Sequence, residues 1–396
     1  MNTEFDVMVV GAGPIGLAAA LLLAKRAGIA STRIGVIDRR IPPAGLDLAK
    51  LPVDLRVFAL SRASEKILRA APYERMQVWH ADVPPHGGDA LVFDAAEIGE
   101  RDLGVIAENS VLQGALTAAA RRAGIALIEG EVEALEFGRA HASLRAGGRE
   151  YRARLVVGAD GAQSRVRELA GLFATRTDYG QIAIVAMVNT AKPHQRTAWQ
   201  RFLGDGTLAF LPLADGASSI VWSVPAARGE KLLAAPIEEF ERELERDFDG
   251  ALGAVRLASE RVRFPLWRLS AVNYVSARVA LVGDAAHVVH PLAGQGANLG
   301  LLDAAALADV LAEGIEARED LGAERILRRY ERWRRSENEL MSTAIDAFDR
   351  LLARGSGRIA GAAQRGLPWV QKSGLVKRAF IERAMGLVGE LPMAAR

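Results

Sequence analysis

A glycine-rich turn near the start of the sequence most constrains the fold. Residues Asp6 to Val10 form a short apolar run typical of a buried strand, and Gly11, Gly13 and Gly16 follow it, ahead of an Ala- and Leu-rich stretch typical of a helix. The first glycine permits the turn, the second lets backbone approach a pyrophosphate, and the third lets the helix pack closely on the strand. The sequence therefore predicts a parallel α/β unit that binds a dinucleotide.

A second strand, Arg33 to Ile37, ends at Asp38, which lies 22 residues after Gly16. An acidic side chain at this position accepts hydrogen bonds from a ribose. The phosphates would lie at the N-terminus of the helix that begins near Pro14, because free N–H groups and the helix dipole favour anions there.

The uncharged run from Val7 to Ala24 is long enough for a membrane span. Three glycines and Pro14 interrupt it, and Glu4 and Asp6 precede it instead of the basic start of a signal peptide. We therefore expect a cytoplasmic protein.

Composition excludes several classes of function. The 396 residues include no Cys, which excludes disulfides, Cys-ligated metal sites and a redox-active cysteine pair. The 50 basic and 48 acidic side chains are too balanced to suggest a nucleic-acid partner. At about 150 residues per domain, the length predicts two or three structural units.

Two later motifs repeat the pattern of a strand followed by a glycine and an acid. Asp160 and Gly161 follow the strand-like Leu155 to Gly158, and Gly283 and Asp284 follow the strand-like Arg278 to Val282. Three such motifs, spread over most of the chain, indicate one long ligand that is contacted at several places. FAD is such a ligand.

The middle of the chain is rich in β-strand patterns, from about Gln181 to Arg268, and only Ile237–Phe248 resembles a helix there. We predict an α/β protein: a Rossmann-like FAD-binding domain, an inserted, mostly antiparallel β-sheet substrate domain, and a C-terminal helical region. The FAD-binding domain would comprise residues 1–72, 101–175 and 270–396, with the C-terminal helices from about 321. The substrate domain would comprise residues 73–100 and 176–269.

Several side chains of the β-rich region are candidates for a substrate pocket, although alternating aromatic residues in a sheet are equally typical of plain core. Arg201 is the charged candidate there, with a solvated strand residue as the alternative. The apolar candidates are Phe202, Phe210, Leu211, Pro212 and Trp222.

The run from His287 to Asp303, which contains His-Pro-Leu-Ala-Gly-Gln-Gly-Ala-Asn-Leu-Gly, resembles the signature of the ubiquinone-biosynthesis hydroxylases of the UbiH/UbiF type. These belong to the flavin hydroxylases typified by para-hydroxybenzoate hydroxylase. Asp54-Leu55-Arg56 with Ala59-Leu60-Ser61 resembles an early segment of that family. Ala384-Met385-Gly386-Leu387 with Leu391-Pro392 resembles its C-terminus, so the resemblance covers essentially the whole chain.

The resemblance implies a role toward FAD for each matching residue. Gly11, Gly13 and Gly16 would hold the pyrophosphate, and Asp38, with Arg39 beside it, would bind the adenosine ribose. The family more often has Glu at the position of Asp38, so the shorter acid is expected to reach only one hydroxyl. The remaining residues on the nucleotide side would be Arg56 and Gln113 toward the flavin and pyrophosphate, and the Val132 backbone toward the adenine.

On the flavin side, the resemblance places Gly283 and Asp284 at the ribitol chain. Asp160 and Gly161 would support both FAD and the passing nicotinamide cofactor. The residues that would face the isoalloxazine are Pro291, Gly294, Gln295, Gly296, Ala297 and Asn298.

The resemblance further implies non-covalent FAD, NAD(P)H as reductant and O2 as co-substrate. A flavin hydroperoxide would hydroxylate a polyprenylated phenol in ubiquinone biosynthesis, in a pocket that excludes water. A phenol has a pKa of about 10, so one group must handle its proton. His287 and His290 are the candidates, with hydrogen-bond ordering of the loop as the alternative; no metal is predicted, because further ligands at suitable spacing are absent.

The substrate would be nearly insoluble, so other ubiquinone-biosynthesis proteins or the inner membrane surface are expected as partners that present it. From Leu321 onward the chain has 15 basic against 8 acidic side chains. This tail would pack as a helical cap or lie on an anionic surface.

Three other functions stay open from the sequence. One is hydroxylation of a soluble phenol or specialised metabolite, and another is a non-catalytic FAD-binding scaffold. A flavin reductase or halogenase is the third, although the Trp-x-Trp-x-Ile-Pro motif of halogenases is absent. The ring carbon and the choice between NADH and NADPH are also open.

Overall fold

The computed structural model of the chain describes residues 3–47, 51, 54–67, 72–80, 83–87, 90–291, 294–348, 373 and 390–395. Leu292 and Ala293 of the predicted flavin-facing loop lie outside the described residues. So does most of the predicted basic tail, including the Ala384 to Leu387 segment. None of the helices within the described ranges is long and apolar enough to cross a membrane.

The described chain alternates between strands and helices. The strands are β1 Glu4–Val10, β2 Ile34–Asp38, β3 Val57–Ser61, β4 Pro72–Tyr73, β5 Arg75–His80, β6 Leu91–Asp94, β7 Gly104–Glu108, β8 Ala126–Glu129, β9 Val132–Phe137, β10 Ala142–Ala146, β11 Arg149–Gly158, β12 Ala174–Thr190, β13 Thr197–Phe202, β14 Thr207–Pro212, β15 Ser218–Pro225, β16 Val255–Leu257, β17 Val262–Ala271, β18 Val275–Ser276, β19 Val279–Leu281 and β20 His287–Val288. The helices are α1 Pro14–Lys25, α2 Arg62–Ile67, α3 Asn109–Ala123, α4 Arg165–Leu169, α5 Ala226–Ala234, α6 Ile237–Asp247, α7 Gln295–Glu316 and α8 Glu324–Phe348.

The first sheet has eight strands, in the order β18-β19-β11-β1-β2-β8, with β10 beside β11 and β9 beside β10. The strands from β19 to β8 in this order pair in parallel. Val7 to Val10 are all buried, as expected for a central parallel strand that is covered on both faces. Because the strands are parallel, the turns after β1, β2, β11 and β19 all leave from one edge of the sheet.

The second sheet has nine strands, in the order β20-β17-β12-β15-β14-β13-β5-β6, with β16 beside β12. Its neighbours pair antiparallel except β13 and β5. One face packs on α5 and α6, where Ile184 and Trp222 meet Phe240 and Leu244. A third, smaller sheet has the order β3-β7-β4.

These sheets confirm the predicted fold class of a Rossmann-like α/β unit with a mostly antiparallel insertion. The division into two domains stays a prediction. The strands of the second sheet come from residues 75–94 and 174–271, and β20 adds 287–288 to its edge.

The expectation of a single helix in the β-rich region is wrong, because α5 precedes α6. Gly229 lies inside α5 and weakened the helical pattern in the sequence. A Cβ at Gly229 would approach the Ile182 side chain to 2.3 Å, so the glycine allows α5 to pack closely on β12.

Helix α7 begins within the segment that resembles the family signature, at Gln295. Gly294 is its N-cap, with a φ of 63°, which places Gln295 to Asn298 in the first turn of the helix. Backbone N–H groups in a first turn have no partner within the helix.

Candidate flavin-binding site

A cavity of about 730 Å³ lies at the edge of the first sheet where the turns after β1, β2, β11 and β19 meet. This volume is within the range of about 300–1,000 Å³ that is usual for ligand pockets. Most of the residues predicted to bind the cofactor lie in its wall: Gly11, Gly13, Asp38, Arg39, Arg56, Gln113, Val132, Asp160, Gly161, Asp284, Pro291, Gly294, Gly296 and Ala297.

The first turn has the geometry expected of the three glycines. Gly11 has a φ of +111°, which L side chains rarely adopt. A Cβ at Gly13 would meet no atom within 4 Å, so this residue leaves space on the cavity side. Gly13 is also the N-cap of α1, no side chain caps the helix, and its first turn holds no acidic residue. The helix N-terminus therefore offers N–H groups and a partial positive charge to a phosphate.

Asp38 and Gln113 both fix the peptide of Ala12. The N–H of Ala12 donates to Asp38 Oδ2 at 2.6 Å, and Gln113 Nε2 donates to the Ala12 carbonyl oxygen at 2.7 Å. The N–H of Arg40 donates to Asp38 Oδ1 at 3.2 Å. Each carboxylate oxygen can still accept a further hydrogen bond, so Asp38 can hold the turn and bind a ribose hydroxyl together.

The wall near Val132 is tied to the end of β2, because the N–H of Gly130 donates to the Asp38 carbonyl oxygen at 2.8 Å. Arg39, also in the wall, pairs with Glu131 at 2.6 Å. The Arg56 side chain is largely exposed, and its Nε lies 3.7 Å from Asp54 Oδ1. These charges surround the nucleotide end of the cavity.

In the turn after β11, the Asp160 carboxylate accepts hydrogen bonds at the start of helix α4. It accepts hydrogen bonds from the N–H groups of Arg165 at 2.7 Å and Val166 at 3.0 Å, and from the Ser164 hydroxyl. Both oxygens are therefore used in shaping the turn, and Gly161 follows with a φ of +80°. This side chain therefore shapes the cavity wall, and its support of FAD and the nicotinamide cofactor stays a prediction.

Arg167 joins the turn after β11 to the turn after β19. Its Nη1 donates to the Ala285 carbonyl oxygen at 2.8 Å and its Nη2 to the Ala162 carbonyl oxygen at 2.9 Å. Burial lowers the pKa of the Arg167 guanidinium, while Asp160 and Glu168 oppose this shift. Two motifs more than 100 residues apart are thus held together by one side chain.

Asp284 extends into the cavity from the turn after β19. Its side chain is accessible through the cavity, yet protein atoms surround it. This desolvation raises the pKa of the Asp284 carboxyl above its usual value, and the nearby His287 acts in the opposite direction. A carboxylate placed here is a hydrogen-bond acceptor suited to ligand hydroxyl groups.

The N-terminus of α7 faces the same cavity as that of α1. It too has no side-chain cap and no acidic residue in its first turn. Asn298 holds this helix end against β3. Its Oδ1 accepts from the Ser61 N–H at 2.8 Å, and its Nδ2 donates to the Ala59 carbonyl oxygen at 2.9 Å. Two positive helix ends therefore meet one cavity, which suits a ligand with separated electron-rich groups.

Some predicted cofactor residues lie behind the wall and not in it. A Cβ at Gly16 would approach the Gly11 carbonyl oxygen to 2.0 Å, and one at Gly283 would approach Ile15 to 3.2 Å, so both act through close packing. Asn298 is buried beneath the α7 terminus. The fourth predicted residue that is not in the wall is Gln295, which lies in the first turn of α7.

His287 and His290 are both buried and lie outside the cavity wall. His287 Nε2 is 2.6 Å from Asp303 Oδ2, and His290 Nε2 is 3.3 Å from Gln181 Oε1. These contacts support the interpretation in which the histidines order the loop. Within the described ranges, His, Asp and Glu form no group of three that is arranged for a metal.

The apolar part of the wall was missed by sequence analysis. Ile15, Phe58, Leu60, Val289 and Leu301 line it, but apolar residues in strands and helices give no signal that separates a ligand contact from ordinary core.

The aromatic candidates of the β-rich region are core residues. Phe210 and Trp222 are fully buried between the second sheet and α6, and Phe202 is 3% exposed. The solvated alternative for Arg201 is wrong, since the residue is buried; it lies outside the wall of the flavin cavity, and a role toward the substrate stays a prediction. Its Nη1 donates to the carbonyl oxygens of Arg246 at 3.2 Å and Asp247 at 2.9 Å, at the C-terminal end of α6.

The donors, acceptors and glycines of this cavity fit FAD, and comparison with known proteins agrees. A family described as "FAD binding domain" matches residues 4–343. The 3-demethoxyubiquinol 3-hydroxylase of Escherichia coli is 35% identical, over 98% of this chain and 100% of that protein. Ubiquinone hydroxylase UbiL of Rhodospirillum rubrum is 36% identical, over 96% of this chain and 89% of that protein.

Among solved structures, p-nitrophenol 4-monooxygenase PnpA of Pseudomonas putida superposes with a TM-score of 0.77. It is 20% identical and the match covers 98% of this chain and all of that one, which supports the fold. This fold, the family match and the hydroxylase relatives together define a flavoprotein of the FAD-dependent hydroxylase class. Within that class, the chain belongs to the FAD-binding-domain family, in the group that contains the ubiquinone-biosynthesis hydroxylases.

Proposed function

We propose that this protein is an FAD-dependent monooxygenase that hydroxylates the aromatic ring of a polyprenylated phenol in ubiquinone biosynthesis, with NAD(P)H and O2. The observation that carries the proposal is the single cavity on which the three glycine and acid turns converge. Full-length similarity to two ubiquinone hydroxylases supports the substrate class. When bound, FAD would accept electrons from the nicotinamide and activate oxygen for transfer to the ring.

The polar residues of the wall bind and orient the cofactor in this proposal. The α1 N-terminus at Gly13 would hold the pyrophosphate and Asp38 the adenosine ribose, while Asp284 would accept hydrogen bonds from the ribitol chain. The α7 N-terminus from Gly294 would stabilise negative charge on the flavin ring.

The apolar residues of the wall exclude water from the reacting end. Phe58, Leu60, Val289 and Leu301 leave few groups that could hydrogen-bond to solvent there. Fixed dipoles act more strongly on a ligand in such a dry environment than in water. A site built this way favours oxygen transfer over side reactions with water.

We propose that the substrate binds against the second sheet, on the face away from α5 and α6. Strand β20 directly precedes the flavin-facing loop and pairs with β17, so this sheet is continuous with the cavity region. Because side chains alternate along a strand, and Ile182 and Ile184 pack toward the helices, Ala183, Val185 and Met187 lie on the other face. These apolar side chains suit a prenylated ring. This arrangement also supports the proposed division into FAD-binding and substrate domains.

The decisive experiment expresses the protein in hosts that each lack one ring hydroxylase of ubiquinone biosynthesis. Mass spectrometry of accumulated and restored quinone intermediates would then identify the substrate and the ring carbon. We expect rescue of one host by the wild-type protein and not by Asp284→Ala, the matched variant that should bind FAD more weakly. Rescue of none of the hosts, combined with NAD(P)H oxidation stimulated by a soluble phenol, would favour the soluble-substrate alternative.

We also propose that the protein meets this substrate at an anionic membrane surface. Phe173 is 80% exposed and Val272 50%, and the two are adjacent, because the N–H of Val272 donates to the Phe173 carbonyl oxygen at 2.8 Å. Arg335 donates to the Val272 carbonyl oxygen at 2.8 Å, so a cation flanks the apolar pair. Flotation with anionic vesicles should recover the wild type but not the double variant Phe173→Ser/Val272→Ser, whereas equal recovery would exclude this surface.

A further inference from the structure

We infer that helix α8 positions residues 283–291, called the flavin-facing segment below because they lead from the Asp284 turn into the flavin-facing loop, and that Arg334 does so through Asp303. Both residues lie behind the cavity wall, so neither would touch FAD. This inference rests on FAD binding in the cavity and not on the identity of the aromatic substrate.

The Asp303 carboxylate connects this segment to α8. Its Oδ2 accepts from the Gly283 N–H at 3.1 Å and lies 2.6 Å from His287 Nε2. Its Oδ1 accepts from Arg334 Nε at 2.8 Å and Asn338 Nδ2 at 3.0 Å. Oδ2 therefore contacts Gly283 and His287, which lie on either side of Asp284 in the chain. Oδ1 is bound by two residues that lie one turn apart on α8.

Burial makes this connection sensitive to the loss of either charge. Asp303 is 0% exposed and Arg334 is 2% exposed. A buried ion that loses its partner is strongly unfavourable, so the remaining group must move or change its protonation state. Without Arg334, such a change at Asp303 acts directly on Gly283 and His287, which hold the turn that presents Asp284.

A second set of contacts connects α8 to the other end of the segment. The rings of Tyr179 and His290 pack edge to face, with centroids 5.0 Å apart, and the Tyr179 hydroxyl donates to Asp346 on α8. Asp346 is fixed in turn by Arg268 at 2.7 Å. Tyr179 reaches this position at a register shift in β12, next to Gly180 with its φ of +67°. Both ends of the flavin-facing segment thus depend on one helix.

The test compares Arg334→Met and Arg334→Lys with Arg329→Met, an exposed arginine of the same helix that pairs with Glu313. FAD affinity is measured by titrating apoprotein, together with the visible spectrum of the bound flavin and the melting temperature of the apoprotein. We expect Arg334→Met to raise the Kd for FAD by about tenfold, which is the scale of one hydrogen bond from a residue that is no longer held in place. Arg334→Lys should be intermediate, and Arg329→Met should match the wild type.

A folded Arg334→Met protein with the Kd and flavin spectrum of the wild type would overturn the inference, even if its apoprotein melts earlier. If Arg334→Met does not fold, Asn338→Leu serves in its place, because it removes one hydrogen bond to Asp303 and one from Arg334 Nη2 while it keeps both charges of the ion pair. We then expect a rise of about threefold in Kd, and an unchanged Kd would again overturn the inference. Failure of the wild type itself to bind FAD would contradict the flavin assignment as well.

Discussion

Gly16 packs directly against the carbonyl group of Gly11, and a Cβ at Gly16 would lie only 2.0 Å from that oxygen. Gly13, between them, is different, because a Cβ there would meet no atom within 4 Å. Gly13 lies in the cavity wall, whereas Gly16 lies on the buried side of α1. Two glycines of one motif therefore serve different purposes, one for the ligand and one for the fold.

The substitutions Gly16→Ala and Gly13→Ala should separate these purposes. We expect Gly16→Ala to lower the melting temperature of the apoprotein sharply, because the new methyl group displaces α1 from β1. Gly13→Ala should leave that temperature nearly unchanged and weaken FAD binding, since its methyl group occupies ligand space. Thermal unfolding of apoprotein and FAD titration measure the two effects. Equal melting temperatures for the two variants would refute the distinction.

The sequence predicted the site well where position along a strand determines position in space. Asp38 ends a strand, Asp160 and Asp284 closely follow one, and the carboxyl ends of parallel strands meet at one edge of a sheet. The predicted convergence of the three turns needed no knowledge of side-chain contacts. The pattern of residues was sufficient for that part of the cavity.

Side-chain partners across the fold were not predictable in this way. The contact of Asp38 with the Ala12 N–H joins residues 26 positions apart, and Arg201 meets α6 across 45 positions. Nothing in the local pattern around Arg201 distinguishes it from a solvated strand residue. Such pairings depend on how the elements pack, which strand and helix periodicity do not specify.

The position of Arg201 predicts a stability effect without a cofactor effect. Arg201→Met removes two hydrogen bonds to carbonyl oxygens and a cation from the C-terminal end of α6. We expect a loss of about 2 kcal/mol in the free energy of unfolding and an unchanged Kd for FAD. Denaturant unfolding gives the first value and flavin titration the second. Arg242→Met, on the exposed side of the same helix, is the control; an Arg201→Met protein with lost FAD affinity would place this residue at the site after all.

The Asp284 carboxylate should lower the stability of the apoprotein at neutral pH although it strengthens cofactor binding. Because desolvation raises the pKa of this carboxyl in the folded state, the folded protein binds the proton more tightly than the unfolded chain. Stability of the apoprotein is therefore lost as pH rises from the ordinary carboxyl pKa of about 4 through the raised value. Asp284→Asn should make the apoprotein more stable than the wild type at neutral pH, and no different at pH 3, while FAD binding weakens. Melting curves at both pH values test this, and a less stable neutral apoprotein would contradict it.

Asp303 predicts the opposite dependence on pH. Burial alone would raise the pKa of this carboxyl, but His287 and Arg334 outweigh burial and lower it to about 2. The unfolded chain therefore takes up the proton first, so the stability from this ionised group is complete above about pH 4 and lost as pH falls through about 2. The free-energy advantage of the wild type over Asp303→Asn should shrink by about 2 kcal/mol across that window. Urea unfolding of both proteins between pH 6 and 2, with exposed Asp215→Asn as the control, measures the difference, and a constant gap would show that the Asp303 charge does not stabilise the fold.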